Sequence, residues 1–237
     1  MAGTEEAPRR ALGALAARFG VACDDGQLDR LLAFARLLLT WSARINLTAA
    51  ESIDELVAEH FPDAFALAAR LSAPARAIDV GSGGGLPALP LAVLCPALEL
   101  DLCEPIAKKG AFLRTAIREL GLGDRVRLRA TRGEQLAETD GGRYDVALSR
   151  ATFRPAAWIA LARRLARPGG RIFALTAAND VPPGLRGDVY LDGRRALVEV
   201  ANAPAGPDAP RGTALSGPAD VPRGTSAAAR RRRRGEV

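Results

Sequence analysis

Apolar positions recur at helical spacing through residues 10–70, and then give way to short apolar runs separated by turns. Residues 1–9 show no period. Residues 10–19 form an amphipathic helix. Cys23-Asp24-Asp25 offers caps for a second helix, in which Leu28, Leu31, Leu32, Ala35, Leu38 and Leu39 line one face. Trp41-Ser42-Ala43-Arg44-Ile45-Asn46-Leu47-Thr48 ends it in a polar turn. Residues 51–70 are helical again, with Pro62 forcing a break or a new start after His60.

From residue 76 the pattern alternates. Strands are predicted at 76–80, 98–103, 126–130, 144–149 and 171–176, and helices at 86–94, 106–120, 134–138 and 156–165. Arg167-Pro168-Gly169-Gly170 is predicted as a turn before the fifth strand. Residues 189–191 and 197–200 make an antiparallel pair turning at Asp192-Gly193. Strands alternating with helices imply an α/β fold, a parallel sheet with helices on both faces. Three regions follow: a helical cap over 1–70, an α/β domain over 71–203, and a tail over 204–237.

The tail is rich in Pro, Gly, Ala and Ser without an apolar period, which predicts disorder. It carries seven arginines, five of them at 230–234, against three acids, and so holds +4 of the formal net charge of +6. The other 203 residues are left near +2, so any basic surface on the folded part is local. The arginine run is either a solvated end or a tether to nucleic-acid phosphates. Cys23, Cys95 and Cys103 have no metal-ligand spacing, and with no signal-peptide pattern they read as reduced thiols of a cytoplasmic protein. No run approaches the ~20 apolar residues that span a bilayer. One histidine and scattered cysteines argue against a structural metal.

The chain is organised around Asp79-Val80-Gly81-Ser82-Gly83-Gly84-Gly85-Leu86-Pro87-Ala88-Leu89-Pro90. A buried strand ends in an acid, a glycine turn follows, and prolines suit the first turn of the next helix. Such a turn is expected to present free N–H groups to a ligand. A P-loop needs a lysine that is absent here. A dinucleotide fingerprint needs glycine where Leu86 stands. Asp-x-Gly-x-Gly-x-Gly is the form found in S-adenosylmethionine (SAM) methyltransferases; a tight turn that binds nothing is the alternative.

Ligands of such sheets lie across the carboxyl ends of the strands. Glu104, 23 positions past Gly81, stands where a ribose diol would donate to it, unless it is merely a solvent-facing acid. Thr131-Arg132-Gly133-Glu134 forms a turn where an adenine would lie. Arg150, within Ser149-Arg150-Ala151, can fork onto the methionine carboxylate of a cofactor or a substrate phosphate, or else pair with Asp145 or Glu134. Lys108 and Lys109 sit at a helix N-terminus, where the dipole disfavours cations, which hints at an outside anion. His60 and Asp63 are candidates to cover the site.

Together these residues resemble the small-subunit ribosomal RNA guanine-N7 methyltransferase family, also called glucose-inhibited division protein B. The pieces are Trp41…Asn46-Leu47-Thr48, His60-Phe61-Pro62-Asp63, the glycine stretch, Glu104…Lys108-Lys109…Phe112-Leu113, Arg132-Gly133-Glu134, and Asp145…Ser149-Arg150-Ala151. The resemblance spans about residues 10–200, and its Asn-Leu-Thr and Ser-Arg-Ala pieces are the most specific.

It implies a Rossmann-like class I SAM-dependent methyltransferase with a mostly parallel seven-stranded sheet. The expected reaction is methyl transfer to N7 of one guanine in a loop of small-subunit (16S) ribosomal RNA. Cofactor contacts are implied at Gly81, Leu86, Gly133, Glu134 and Arg150, with Glu104 near the ribose. Asp79, Gly83 and Gly85 complete the candidate cofactor set, and Arg150 is the candidate catalytic residue. The expected enzyme is a cytoplasmic monomer that meets the ribosomal subunit and uses neither metal nor membrane. N7 carries an in-plane lone pair and no proton, so placement suffices without a general base. Phe153 and Trp158 are candidate stacking platforms. The chain departs from the family's pattern at Thr176, where lysine is usual, at Ala64 for serine, at Ala88 for glycine, and in its tail. A SAM methyltransferase with another substrate and a non-catalytic RNA-binding relative are the competing readings.

Overall fold

The computed structural model of the chain describes residues 6–71 and 73–203. The expected disordered tail, with its arginines at 230–234, lies outside them. Four helices come first: α1 (Glu6–Phe19), α2 (Asp25–Ser42), α3 (Ile53–Glu59) and α4 (Phe61–Ala68). Asp24 caps α2 by accepting from Gln27 N at 2.7 Å, while the Gln27 side chain accepts from Asp24 N at 3.0 Å. The Gln27 amide then donates to Val93 O at 2.8 Å, tying the cap to the α/β part. Pro62 does break the helix: α3 ends at Glu59, and Pro62 sits in the first turn of α4, where it displaces no hydrogen bond.

The α/β part follows as β1 (Ala75–Val80), α5 (Ala88–Leu94), β2 (Leu98–Cys103), α6 (Ala107–Glu119), β3 (Val126–Arg129), α7 (Gly133–Thr139), β4 (Tyr144–Arg150), α8 (Pro155–Leu165), β5 (Ala166–Ala177), β6 (Gly187–Tyr190) and β7 (Arg195–Ala201). They form one seven-stranded sheet in the order β3-β2-β1-β4-β5-β7-β6. The first five strands run parallel, and β7 is antiparallel to both β5 and β6. The strand order reverses between β1 and β4, so the ends of those strands flank the crevice where ligands of open α/β sheets bind.

One expectation fails in detail. The stretch from Arg167 to Gly170 is not a turn ahead of the fifth strand but a bulge inside it, between the pairs Tyr144↔Ala166 and Val146↔Arg171. Asn202 holds the bulge. Its backbone N–H donates to Gly170 O at 2.7 Å, and its side-chain amide donates to the carbonyls of Ala166 (2.8 Å) and Arg167 (3.1 Å). The glycines are still explained, since Gly169 has a φ of +76°.

Strand alternation divides the core. Ala77, Val146, Leu148, Phe173, Leu175 and Leu197 face the cap helices and α5–α6, whereas Ile78, Val80, Ala147, Ile172 and Ala174 face α7 and α8. Phe34 of α2 packs against Phe61 and Phe112, with ring centroids 6.2 and 6.5 Å away. Truncating such a buried ring to alanine costs ~3–5 kcal/mol. The β6–β7 hairpin closes over the cap: Phe19 and Tyr190 meet edge-on at 6.1 Å, and Arg70 pairs with Asp188.

Candidate active site

The glycine turn runs from the end of β1 to the start of α5. Gly81 has a φ of +79°, which glycine tolerates at no steric cost. A Cβ there would fall within 2.8 Å of Thr152 Cβ and closer still to its hydroxyl. Gly84 is constrained differently, because a Cβ would lie 2.9 Å from the carbonyl oxygen of Leu47. The Asn46-Leu47-Thr48 segment therefore rests directly on the glycine turn. Gly83 and Gly85 also have positive φ, Leu86 is buried beside them, and Gly133 is pressed against Val80, where a Cβ would come within 2.6 Å of Cγ1.

Four of the turn's N–H groups are already bonded, against the expectation of free ones. Gly81 and Ser82 donate to Cys103 O at 2.9 and 3.2 Å, Gly83 donates to Glu104 Oε2 at 3.0 Å, and Gly85 donates to Ser82 O at 2.7 Å. Cys103 and Glu104, at and just past the end of β2, take three of these donors. What remains is a surface that permits close approach, with acceptors beneath it.

Those acceptors are Asp79 and Glu104. Asp79 lies on β1, between β2 and β4, is 1% exposed, and its Oδ2 has no hydrogen-bond partner. Burial pushes its pKa up to about 7, against a smaller lowering by the Ser82 hydroxyl. Glu104 is also buried and is fixed at both oxygens, Oε2 by Gly83 N and Oε1 by Ile106 N at 2.8 Å. Each oxygen keeps a second lone pair for a hydroxyl donor. Glu134, by contrast, is exposed in the first turn of α7. The Cys103 thiol donates to Thr131 O at 3.1 Å, and burial raises its pKa to about 12, so it stays a protonated, structural group.

Arg150 ends β4 and pairs with neither Asp145 nor Glu134. Its Nη1 donates to Asp63 Oδ2 at 3.0 Å and lies 3.0 Å from His60 Nδ1. Asp145 is held instead by Arg76 N at 2.7 Å and by Arg167. Since an arginine can only donate, His60 Nδ1 must accept, which leaves its proton on Nε2 and the ring neutral. Burial, reinforced by Arg150 and Arg195, lowers the His60 pKa accordingly. Asp63 is wholly buried and also accepts from Tyr190 OH at 2.6 Å, while Arg195 Nη1 stands 3.5 Å from it.

Beyond Arg150 the chain turns sharply, with Ala151 at a φ of +54°, an uncommon value outside glycine. Thr152 then donates to Gly81 O at 3.3 Å, and Phe153 stacks on Trp158 at 5.9 Å. Trp158 is no stacking platform: it is 1% exposed and its indole N–H donates to Phe173 O at 2.8 Å. Phe153 lines an open groove of about 820 Å³ together with Arg154, Thr176, Asp180, Arg194 and Arg195. Lys108 and Lys109 lie in the first turn of α6, outside this groove. Among the described residues no group of His, Cys, Asp and Glu is arranged to hold a metal, and no helix is long and apolar enough to cross a membrane.

The family described as rRNA small subunit methyltransferase G matches residues 27–181, more than half of the chain. This chain belongs to that family. A Geobacter sp. (strain M21) protein named ribosomal RNA small subunit methyltransferase G is 36% identical over 169 residues, covering 70% of this chain and 77% of its own. A protein of the same name from Myxococcus xanthus is 38% identical over 167 residues, covering 70% of this chain and 75% of its own. Among solved structures, a proposed O-methyltransferase from Klebsiella pneumoniae is 20% identical with a TM-score of 0.50, covering 75% of this chain and 90% of that one. At that identity the likeness bears on the fold alone. Family membership makes the chain an enzyme, a methyltransferase, built on a Rossmann-like sheet.

Within this methyltransferase, sequence reasoning brought Asp79, Gly81, Gly83, Gly85, Leu86 and Glu104 to one crevice. It did not find the full set that surrounds Arg150. Asp63 and Tyr190 are 127 positions apart, and no local pattern announces their contact. Thr152 carried a signal, since a hydroxyl two residues past the strand-ending Arg150 is placed to reach the neighbouring turn.

Proposed function

We propose that the chain transfers a methyl group from SAM to N7 of one guanine in a loop of small-subunit (16S) ribosomal RNA, acting as a monomer in the cytoplasm. The observation that carries the reading is the buried, unpartnered Asp79 Oδ2 beneath the glycine turn. An orphaned carboxylate oxygen there calls for a cationic donor, and the ammonium of a methionyl group is one. A nucleotide phosphate would find no P-loop lysine, and the N–H groups of Gly81, Ser82, Gly83 and Gly85 are already bonded.

The residues present fit the cofactor. Asp79 takes the ammonium, Glu104 takes the ribose hydroxyls on its spare lone pairs, and Gly81 and Gly83 let the ligand approach the backbone. Leu86, Gly133 and Glu134 surround the adenine side, with Gly85 setting the entry to α5. When bound, SAM supplies an electrophilic methyl: N7 forms the N–C bond as the C–S bond breaks, leaving a thioether and a cationic purine. Arg150 touches the bound carboxylate or the incoming RNA phosphate, and Asp63 and His60 fix its direction. No residue need remove a proton, because N7 carries none, and the chain's work is positioning. The target is a loop base, since the deep, narrow major groove of A-form RNA hides N7 from side chains.

Complementation tests the reading. Expression in a strain whose small-subunit RNA lacks 7-methylguanosine is expected to restore it, as detected by mass spectrometry of nucleosides. RNA that stays unmethylated despite soluble expression would overturn it.

A further inference from the structure

The groove beyond Arg150 has a wall whose chemistry the cofactor set does not use. In sheet order the glycine turn follows β1, Arg150 ends β4 with Ala151 just after it, and Thr176 and Asp180 lie near and just past the end of β5. Ala151 lines this groove, and its neighbour Thr152 donates to Gly81 O at 3.3 Å; Asp180 lines the same groove. Phe153 lies along it, one ring face already packed on Trp158. Two of its arginines are committed elsewhere. Arg194 forks onto Glu59 at 2.8 and 2.9 Å, and Arg195 leans on Asp63 at 3.5 Å. Asp180 is exposed, and among the described residues its carboxylate makes no hydrogen bond or ion pair. An unpaired acid in a groove that three arginines also line repels RNA phosphate. It needs a purpose other than backbone binding.

A purine supplies one. Guanine presents two donors side by side on its Watson–Crick edge, N1–H and an N2–H, and a carboxylate accepts both at once. Adenine presents an acceptor at N1, which a carboxylate repels. N7 lies on the opposite side of the purine. A guanine whose Watson–Crick edge meets Asp180 would hold N7 on the side of the ring away from that carboxylate. We infer that Asp180 is the specificity-determining residue that selects guanine for methylation, with the flipped base lying along Phe153. This rests on the methyl-transfer reading above and names the residue that chooses its base. The groove's volume is within the ~300–1,000 Å³ range of ligand clefts. The same carboxylate gains attraction for the ring as methylation makes it cationic, which favours the transition state over the bound substrate.

The test compares wild type, Asp180→Asn and Asp180→Ala. The substrates are small ribosomal subunits carrying guanine or adenine at the mapped target, with SAM affinity measured in parallel by calorimetry. Wild type is expected to prefer guanine strongly. Asp180→Asn is expected to lower kcat/KM on guanine about 10- to 100-fold. It should also raise transfer to adenine N7, because an amide donates to N1 and accepts from N6–H. Asp180→Ala should lose rate on guanine without gaining adenine. SAM affinity should hold within about twofold in both variants, showing that the fold and cofactor pocket are intact. An Asp180→Asn enzyme with wild-type rate on guanine, or with a lower rate but an unchanged guanine-to-adenine ratio, would overturn this assignment and leave the methyl-transfer reading standing. A wild-type enzyme that never methylates guanine would overturn both.

Discussion

Asp63 Oδ2 accepts from Arg150 Nη1 at 3.0 Å, and the Asp63 carboxylate is wholly out of water while the arginine side chain is 16% exposed. The pair joins α4 of the helical cap to the end of β4. With Tyr190 and Arg195 on the same carboxylate, it also joins the β6–β7 hairpin. Asp63→Ala leaves Tyr190 OH without its acceptor and the Arg150 charge without its partner. We expect a loss of ~3–5 kcal/mol in unfolding free energy, measured by urea denaturation. Asp63→Asn keeps an acceptor and should lose less. An Asp63→Ala protein as stable as wild type would contradict the role given to this carboxylate.

Gly81 and Thr152 are the second close pair. Gly81→Ala meets the Thr152 side chain and also forces alanine to a φ of +79°. The double change Gly81→Ala with Thr152→Gly removes the collision but not the backbone cost, of order 1–2 kcal/mol. Thermal denaturation should therefore show the double variant more stable than Gly81→Ala and less stable than wild type. Full recovery would mean that the conformation at Gly81 is not required.

Asp79 makes two pH-dependent predictions. Its pKa in the folded protein is raised to about 7 from an ordinary 3.8, so between those values the folded chain holds a proton that the unfolded chain releases. This group's contribution to stability is greatest below pH ~4, declines as pH rises through 7, and is flat above. Asp79→Asn should abolish that part of the slope in denaturation series between pH 5 and 8. A cationic ligand binds the ionised form, so SAM affinity should rise with pH up to about 7 and then level, with proton release below 7. Calorimetry in buffers of different ionisation enthalpy measures that proton directly, and its absence at pH 6 would contradict the assignment.

Arg150 presents one nitrogen to both Asp63 and His60, which leaves the rest of its fork for a ligand. Arg150→Lys keeps the charge but supplies no planar fork. Arg150→Ala should lower methyl transfer by about 100-fold or more, equivalent to ~2.7 kcal/mol. Arg150→Lys should recover only a small part of it. Equal rates for arginine and lysine would reduce the residue to a point charge.

Much of this was legible in the sequence because it was local. The Pro62 break, the Asp24 cap, the glycine turn and the acid at the end of β2 each follow from residues a few positions apart. Two local expectations failed for a non-local reason. The predicted turn before the fifth strand became a bulge because Asn202, distant in sequence, bonds to it. The N–H groups of Gly81, Ser82 and Gly83 were taken by Cys103 and Glu104, whose place beside them is set by the pairing of β1 with β2. The partners of Arg150 were hidden for the same reason. A salt bridge to Asp145 or Glu134 was the nearer choice along the chain, but the cap helices fold back over the sheet and bring Asp63 closer in space. Gly84 lay in the motif from the outset, but its contact with Leu47 needed the fold to be visible.

The central claim is that purified protein moves a methyl group onto guanine N7 in the small ribosomal subunit. The most direct measurement incubates the protein with methyl-labelled SAM and small subunits isolated from a strain lacking this modification, followed by digestion and mass spectrometry. Labelled 7-methylguanosine is expected at a single position and is lost in Arg150→Ala. Label on another nucleoside or on protein, or no label from a preparation that binds SAM, would contradict it.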